Sequence, residues 1–94
     1  MKTKVYIAGS ISNNPNYKEQ FKNAEETLVA NGCAVMSPAI LPDGFTQEDY
    51  MTVCISMINV CDIAVFLNGW EKSSGAKVEH MYCDKVEKPV YYEE

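Results

Sequence analysis

Asp62-Ile63-Ala64-Val65-Phe66-Leu67 is a short run in which five apolar residues follow one another without a polar break. A strand with one wet face alternates polar and apolar residues. This run does not, so it predicts a strand buried on both faces, as in a parallel sheet covered by helices. Upstream, Tyr50, Val53, Cys54, Met57, Ile58 and Cys61 recur at helical spacing. Thr46 stands at their start as a cap, and Asp49 favours the positive end of the helix. Downstream, Asn68 to Ser73 is a loop, and Ser73 or Ser74 caps a third helix running to about Val86. Lys88-Pro89 breaks it, and Val90-Tyr91-Tyr92 forms a last strand.

The first half of the chain repeats the alternation. Lys4-Val5-Tyr6-Ile7-Ala8 predicts a buried strand leading into the turn-rich Gly9 to Pro15. Tyr17, Phe21, Ala24 and Leu28 then mark an amphipathic helix. Asn16 and Glu19 have the spacing of a capping box, and Gly32 suits the helix end. Ala34-Val35-Met36 is a short strand, and the prolines between Ser37 and Gly44 argue against regular structure there. The order βαβαβαβ, with short connections and right-handed crossovers, predicts a three-layer α/β domain spanning residues 1–94. Its sheet is four-stranded, parallel and flavodoxin/Rossmann-like, ordered 2-1-3-4, with helices on both faces.

Composition narrows the function classes. The chain has 94 residues and a net charge of −5, and it contains no arginine, which argues against a nucleic-acid partner. The apolar run Val5–Ala8 is too short for a signal peptide or a membrane span, so no membrane partner and a cytoplasmic location are expected. Cys33, Cys54, Cys61 and Cys83 form no C-x-x-C pair, and His80 is a lone histidine. The cysteines therefore read as small buried hydrophobes, with no metal and no disulfide expected.

In a sheet of this kind ligands bind beyond the carboxyl ends of the strands. Gly9–Pro15, Ser37–Phe45 and Asn68–Ser74 leave those ends. Asp62 opens its strand at the opposite edge and reads as structural. His80 shows no partner and reads as a packing or surface residue. Gly9-Ser10-Ile11-Ser12 can approach a sugar or phosphate, or can be a tight strand exit that needs glycine. It is neither a P-loop nor a G-x-G-x-x-G turn. Trp70, the single tryptophan, can stack on a base or cover a site, or can pack over the sheet edge or in a subunit contact. Glu79 lies one turn into the third helix, spaced with Ala76 and Cys83 on an apolar stripe. There a carboxylate is costly to bury without a purpose or partner, unless it is simply solvated on the helix surface.

Two stretches carry a resemblance. They are Val5-Tyr6-Ile7-Ala8-Gly9-Ser10-Ile11-Ser12 and Cys61 to Glu79, with its Gly69-Trp70-Glu71-Lys72-Ser73-Ser74-Gly75-Ala76-Lys77-Val78-Glu79 string. Both resemble the small DUF4406 proteins common in bacteria and their phages, which are similar to nucleoside 2-deoxyribosyltransferases and deoxynucleotide N-glycosidases. The resemblance implies Glu79 as the nucleophile toward the anomeric carbon of deoxyribose, with Tyr6 beside it. It implies Gly9, Ser10 and Ser12 for sugar or 5′-phosphate groups, and Ser73, Ser74 and Gly75 facing the ligand, with Asn68 and Trp70 as further ligand-binding candidates on the same loop. No organic cofactor or metal is implied, and homo-oligomers are. Cys54 stands where the transferases carry an aspartate on the second helix. Ser73 stands where they carry one shortly before the nucleophile. Asp43, Asp49 and Glu71 are the available replacements.

Three functions follow as expectations. The first is cleavage or exchange of the N-glycosidic bond of a deoxynucleoside or its monophosphate. The second is binding of a nucleotide or nucleotide-derived signal without turnover, as a sponge would. The third is an interaction protein with a vestigial site.

Overall fold

In the computed structural model, which describes residues 1–93, the apolar run at 62–67 forms a strand inside a four-stranded sheet. The elements are β1 (Lys4–Ala8), α1 (Tyr17–Ala30), β2 (Ala34–Met36), α2 (Gln47–Val60), β3 (Ile63–Phe66), α3 (Ser74–Lys85) and β4 (Val90–Tyr92). The strands are parallel and ordered β2-β1-β3-β4, as the sequence predicts. Tyr6 of β1 stands opposite Met36 of β2 and Ala64 of β3.

Strand alternation splits the core between the two faces of the sheet. Tyr6, Ala8, Ala64 and Phe66 pack with Cys54, Ile58 and Cys61 from the second helix region and with Cys83 from α3. Ile7 packs on the other face with Phe21 of α1 and with Leu67. Helices α2 and α3 thus share one face and α1 covers the other. Crossovers of one hand produce this arrangement when the strand order reverses direction between β1 and β3. That reversal opens a crevice above the carboxyl ends of β1 and β3. No helix among the described residues is long and apolar enough to cross a membrane.

Local details depart from the sequence reading in three places. Asn16 precedes α1, but its side chain makes no capping bond. Asn14 instead ties the loop before α1 together: its Oδ1 accepts from the Asn16 amide at 3.1 Å, and its Nδ2 donates to Gln20 at 2.7 Å and to the Ser10 carbonyl at 3.2 Å. Pro38–Ile40 forms a single 3-10 turn despite its proline, because proline at a first helical position loses no hydrogen bond. Cys33 is half-buried, whereas Cys54, Cys61 and Cys83 are buried, and all four are free thiols. Helix α2 begins as expected, and Asp49 goes further than charge alone by closing a reciprocal capping box with Thr46.

Candidate functional site

The carboxyl ends of the strands open into a cavity of about 580 Å³, a size suited to a small organic ligand. Its wall comes from three places. The β1 exit supplies Gly9, Ser10 and Ser12. The segment after β2 and the start of α2 supplies Asp43, Tyr50 and Cys54. The α3 entry supplies Lys72, Ser73, Ser74, Gly75 and Glu79.

Each wall is fixed by local chemistry. Gly9 is needed for close packing: a Cβ there would lie 3.1 Å from Phe21 Cζ and 3.3 Å from Leu67 Cβ. Ser73 caps α3, its Oγ accepting from the Ala76 amide at 3.1 Å. Tyr50 pins the loop that carries Asp43, donating to the Pro42 carbonyl at 2.6 Å and accepting from the Phe45 amide at 3.3 Å. Gly44 in the same loop has φ +101°, a left-handed conformation that suits glycine.

Glu79 is the buried carboxyl of this site, only 7% exposed. Burial pushes its carboxyl well above the ordinary carboxylate range, to about 7, while the Tyr6 hydroxyl and the Cys54 thiol pull it partly back. Tyr6 is fully buried, and its hydroxyl closes no hydrogen bond of ordinary geometry within the described residues. Even so, the hydroxyl lies close enough to Glu79 and Cys54 for their ionisations to be linked. Burial and the neighbouring Glu79 hold the Tyr6 hydroxyl protonated. Burial also pushes the Cys54 thiol up, to about 11.

The structure therefore gathers Glu79, Gly9, Ser10, Ser12, Ser73, Ser74 and Gly75 at one cavity, with Tyr6 behind Glu79. It does not bring Asn68 or Trp70 to that wall. The Asn68 backbone turns toward the other side, its amide donating to Glu93 at 2.7 Å and its carbonyl accepting from Gln20 at 3.0 Å. Trp70 opens a 3-10 turn over β3 and stacks on His80, with ring centroids 4.4 Å apart and planes 12° apart. His80 has the partner that the sequence did not reveal: its Nε2 lies 2.6 Å from the Tyr92 hydroxyl. Its packing role stands. Asp62 is structural as well, its Oδ2 accepting from the Lys4 amide at 2.8 Å across the base of the sheet. Of the three acids weighed as replacements, Asp43 lines the cavity, Asp49 is spent on the α2 cap, and Glu71 is off the wall. Lys72 brings a cation to the wall. Its position at the end of the turn before α3 was visible in the sequence, but its direction was not.

A family model described as a domain of unknown function, DUF4406, matches residues 3–92. The chain belongs to the DUF4406 family. No curated protein matches this DUF4406 chain. Among solved structures, a 2-deoxyribosyltransferase from the psychrotolerant bacterium Bacillus psychrosaccharolyticus is similar to it, with a TM-score of 0.75 at 21% sequence identity. The match covers 96% of this chain and 71% of that one. At this identity the likeness shows that the DUF4406 chain and the transferase share an α/β fold.

Proposed function

We propose that this DUF4406 protein takes a deoxynucleoside or deoxynucleoside monophosphate into the cavity and breaks its N-glycosidic bond, with Glu79 as nucleophile. The observation that carries the reading is a carboxyl buried on the wall of a ligand-sized cavity, where that burial pushes it above the ordinary carboxylate range. A Glu79 carboxylate oxygen bonds to the anomeric carbon as the C–N bond breaks, and the base leaves with the electron pair. The glycosyl ester is then opened by water, giving hydrolysis, or by a second base, giving transfer. The leaving base needs a proton or a hydrogen bond, and Asp43 is a second carboxyl offered by the wall. Ser10, Ser12, Ser73 and Ser74 supply hydroxyls for sugar or phosphate oxygens, and Lys72 supplies positive charge for a phosphate.

The test is incubation with deoxynucleosides and their monophosphates, following free base by chromatography. Wild type should release base, at a rate that rises as pH passes about 7 and Glu79 ionises. Glu79→Ala should release it at least ~10³-fold more slowly. No release by wild type, or equal release by the variant, sinks the reading. A second reading, binding without turnover, draws on Cys54, a buried thiol on the cavity wall where the resemblance implies an acid. Ligand-dependent melting without base release would favour it.

A further inference from the structure

The β1 wall of the cavity is held from outside. Ser12 sits in a turn from Ile11 to Asn14, closed by the Asn14 amide donating to the Ile11 carbonyl at 3.3 Å. That bond is long, so the turn leans on side chains for its shape. The Asn14 Nδ2 donates to the Ser10 carbonyl at 3.2 Å and to Gln20 Oε1 at 2.7 Å. Gln20, in the first turn of α1, passes the contact on. Its Nε2 donates to the Asn68 carbonyl at 3.0 Å and to Glu93 Oε1 at 3.2 Å. The same Glu93 oxygen accepts from the Asn68 amide at 2.7 Å. Glu93 follows β4, and its own amide donates to the Phe66 carbonyl at 2.9 Å. Asn14, Gln20 and Glu93 are half-buried, and none of them lines the cavity. We propose that Gln20 is a positioning residue for the cavity: through Asn14 it sets where Ser10 and Ser12 stand. This rests on the reading of the cavity as a nucleotide site.

The donors and acceptors leave this network no second arrangement. A side-chain amide has two N–H donors and one oxygen. Both Gln20 donors and its oxygen are engaged. So are both Asn14 donors and its oxygen, which accepts from the Asn16 amide at 3.1 Å. Turning the Gln20 amide over would set its oxygen against the Asn68 carbonyl and the Glu93 carboxyl. Turning Asn14 over would set its oxygen against the Ser10 carbonyl and Gln20. The sheet does not need these bonds. Its ladder closes through the Leu67 amide, which donates to the Ala8 carbonyl at 2.8 Å, and through Glu93 to Phe66. The network begins where that ladder stops and joins the exits of β1, β3 and β4. It therefore fixes loops, and one of them carries two of the hydroxyls offered to a ligand. Gln20→Glu keeps the size of the side chain but removes both donors and sets a carboxylate against Glu93.

The experiment measures amide exchange with solvent by NMR in the ligand-free full chain. Wild type is compared with Gln20→Glu, with Glu93→Ala, and with Gln20→Glu combined with Glu93→Gln. The reporters are the Asn14 amide in the wall turn and the Leu67 amide in the sheet. Asn14 should exchange about fivefold faster in either single variant, the effect of losing one hydrogen bond. Leu67 should stay within about twofold of wild type. The double variant sets an amide against a carboxyl again, so it should recover at least about half of the Asn14 protection. Equal Asn14 rates in all chains overturn the proposal, as does a double variant no better than Gln20→Glu. Leu67 rising as much as Asn14 makes Gln20 a general stabiliser and overturns it too. If Gln20→Glu prevents folding, Glu93→Ala decides by the same comparison of Asn14 with Leu67. A second arm adds deoxynucleosides and their 5′-monophosphates and follows melting. Gln20→Glu should reduce the wild-type ligand shift by at least about half, and the double variant should restore it. An undiminished shift in Gln20→Glu overturns the positioning role and leaves the nucleotide reading intact. If no ligand shifts wild type while Asn14 responds as expected, the positioning of the wall stands and the nucleotide reading falls.

Discussion

Glu79 and His80 are consecutive residues of α3, and they face clusters of opposite character. On one side Glu79, Tyr6 and Cys54 gather at the cavity, with a buried hydroxyl left open and a carboxyl lifted to about 7. On the other side His80 lies between Trp70 and the edge of Phe66 and meets the Tyr92 hydroxyl. Both clusters are largely aromatic or apolar in their surroundings, and each contains one titratable group from the same turn of helix. What separates them is satisfaction. In the His80 cluster the His80 Nε2 and the Tyr92 hydroxyl meet each other, and the ring contacts knit α3 to β3 and β4. The Glu79 cluster buries a carboxyl at the wall of a cavity and, behind it, the Tyr6 hydroxyl without a hydrogen bond of ordinary geometry. A polar group with a partner explains a fold. A buried one without a partner needs another account.

The largest effect should come from removing the buried charge. Raising a buried carboxyl from its ordinary value to about 7 makes ionised Glu79 a cost to the folded state of about 3 kcal/mol. The sign is set by which state holds the proton. Below about pH 4.5 the carboxyl is protonated in both states and nothing is lost. Between there and about pH 7 the folded chain keeps a proton that the unfolded chain has released, so stability falls as pH rises. Above about pH 7 the full cost is present. Glu79→Gln should therefore gain on wild type between pH 4 and pH 8, by up to about 3 kcal/mol in urea unfolding. A gap that does not change with pH would erase the distinction between the two clusters.

Trp70→Ala comes next and should act in the opposite sense. Removing a half-buried indole that stacks on His80 and meets the Phe66 ring at 5.2 Å should cost about 2 kcal/mol, less than a fully buried tryptophan. Because Trp70 is off the cavity wall, ligand-induced stabilisation should survive in the variant. Loss of that stabilisation in a chain that still folds would return Trp70 to the ligand site.

The fate of Trp70 shows what the sequence could and could not reveal. The strands and helices were legible because uninterrupted apolar runs and helical spacing are local patterns. Glu79 was legible because a carboxylate on the Ala76–Cys83 stripe is a local anomaly. Direction was not legible. Gly69, with φ +90°, turns the chain so that Trp70 folds back over β3 while Lys72 points to the cavity, two residues apart in the same segment. The sorting of Asp43 from Asp49 is of the same kind. Thr46 four residues away from Tyr50, and three from Asp49, announces a helix start, but only the folded loop shows that Asp49 is consumed by the cap while Tyr50 holds the Asp43 loop at the cavity.

The smallest expected effect tests the contrast within the cavity itself, between its two glycines. Gly9 is fixed by the protein, since an added Cβ would press into Phe21 and Leu67. Gly75 is not. A Cβ there would meet Met51 Cε at 3.7 Å and Ser73 Oγ at 3.8 Å, which is ordinary contact. Glycine in a helix costs stability relative to alanine, and the fold gives no steric reason to accept that cost at Gly75. Gly75→Ala should therefore stabilise the ligand-free chain by about 0.5 kcal/mol, read as a higher melting temperature. If a ligand's sugar or phosphate approaches the start of α3, the same methyl group stands in its way, and the melting shift produced by ligand should shrink. A stabilised chain with an undiminished ligand shift would instead place the ligand away from the start of α3, against the Ser10 and Ser12 wall.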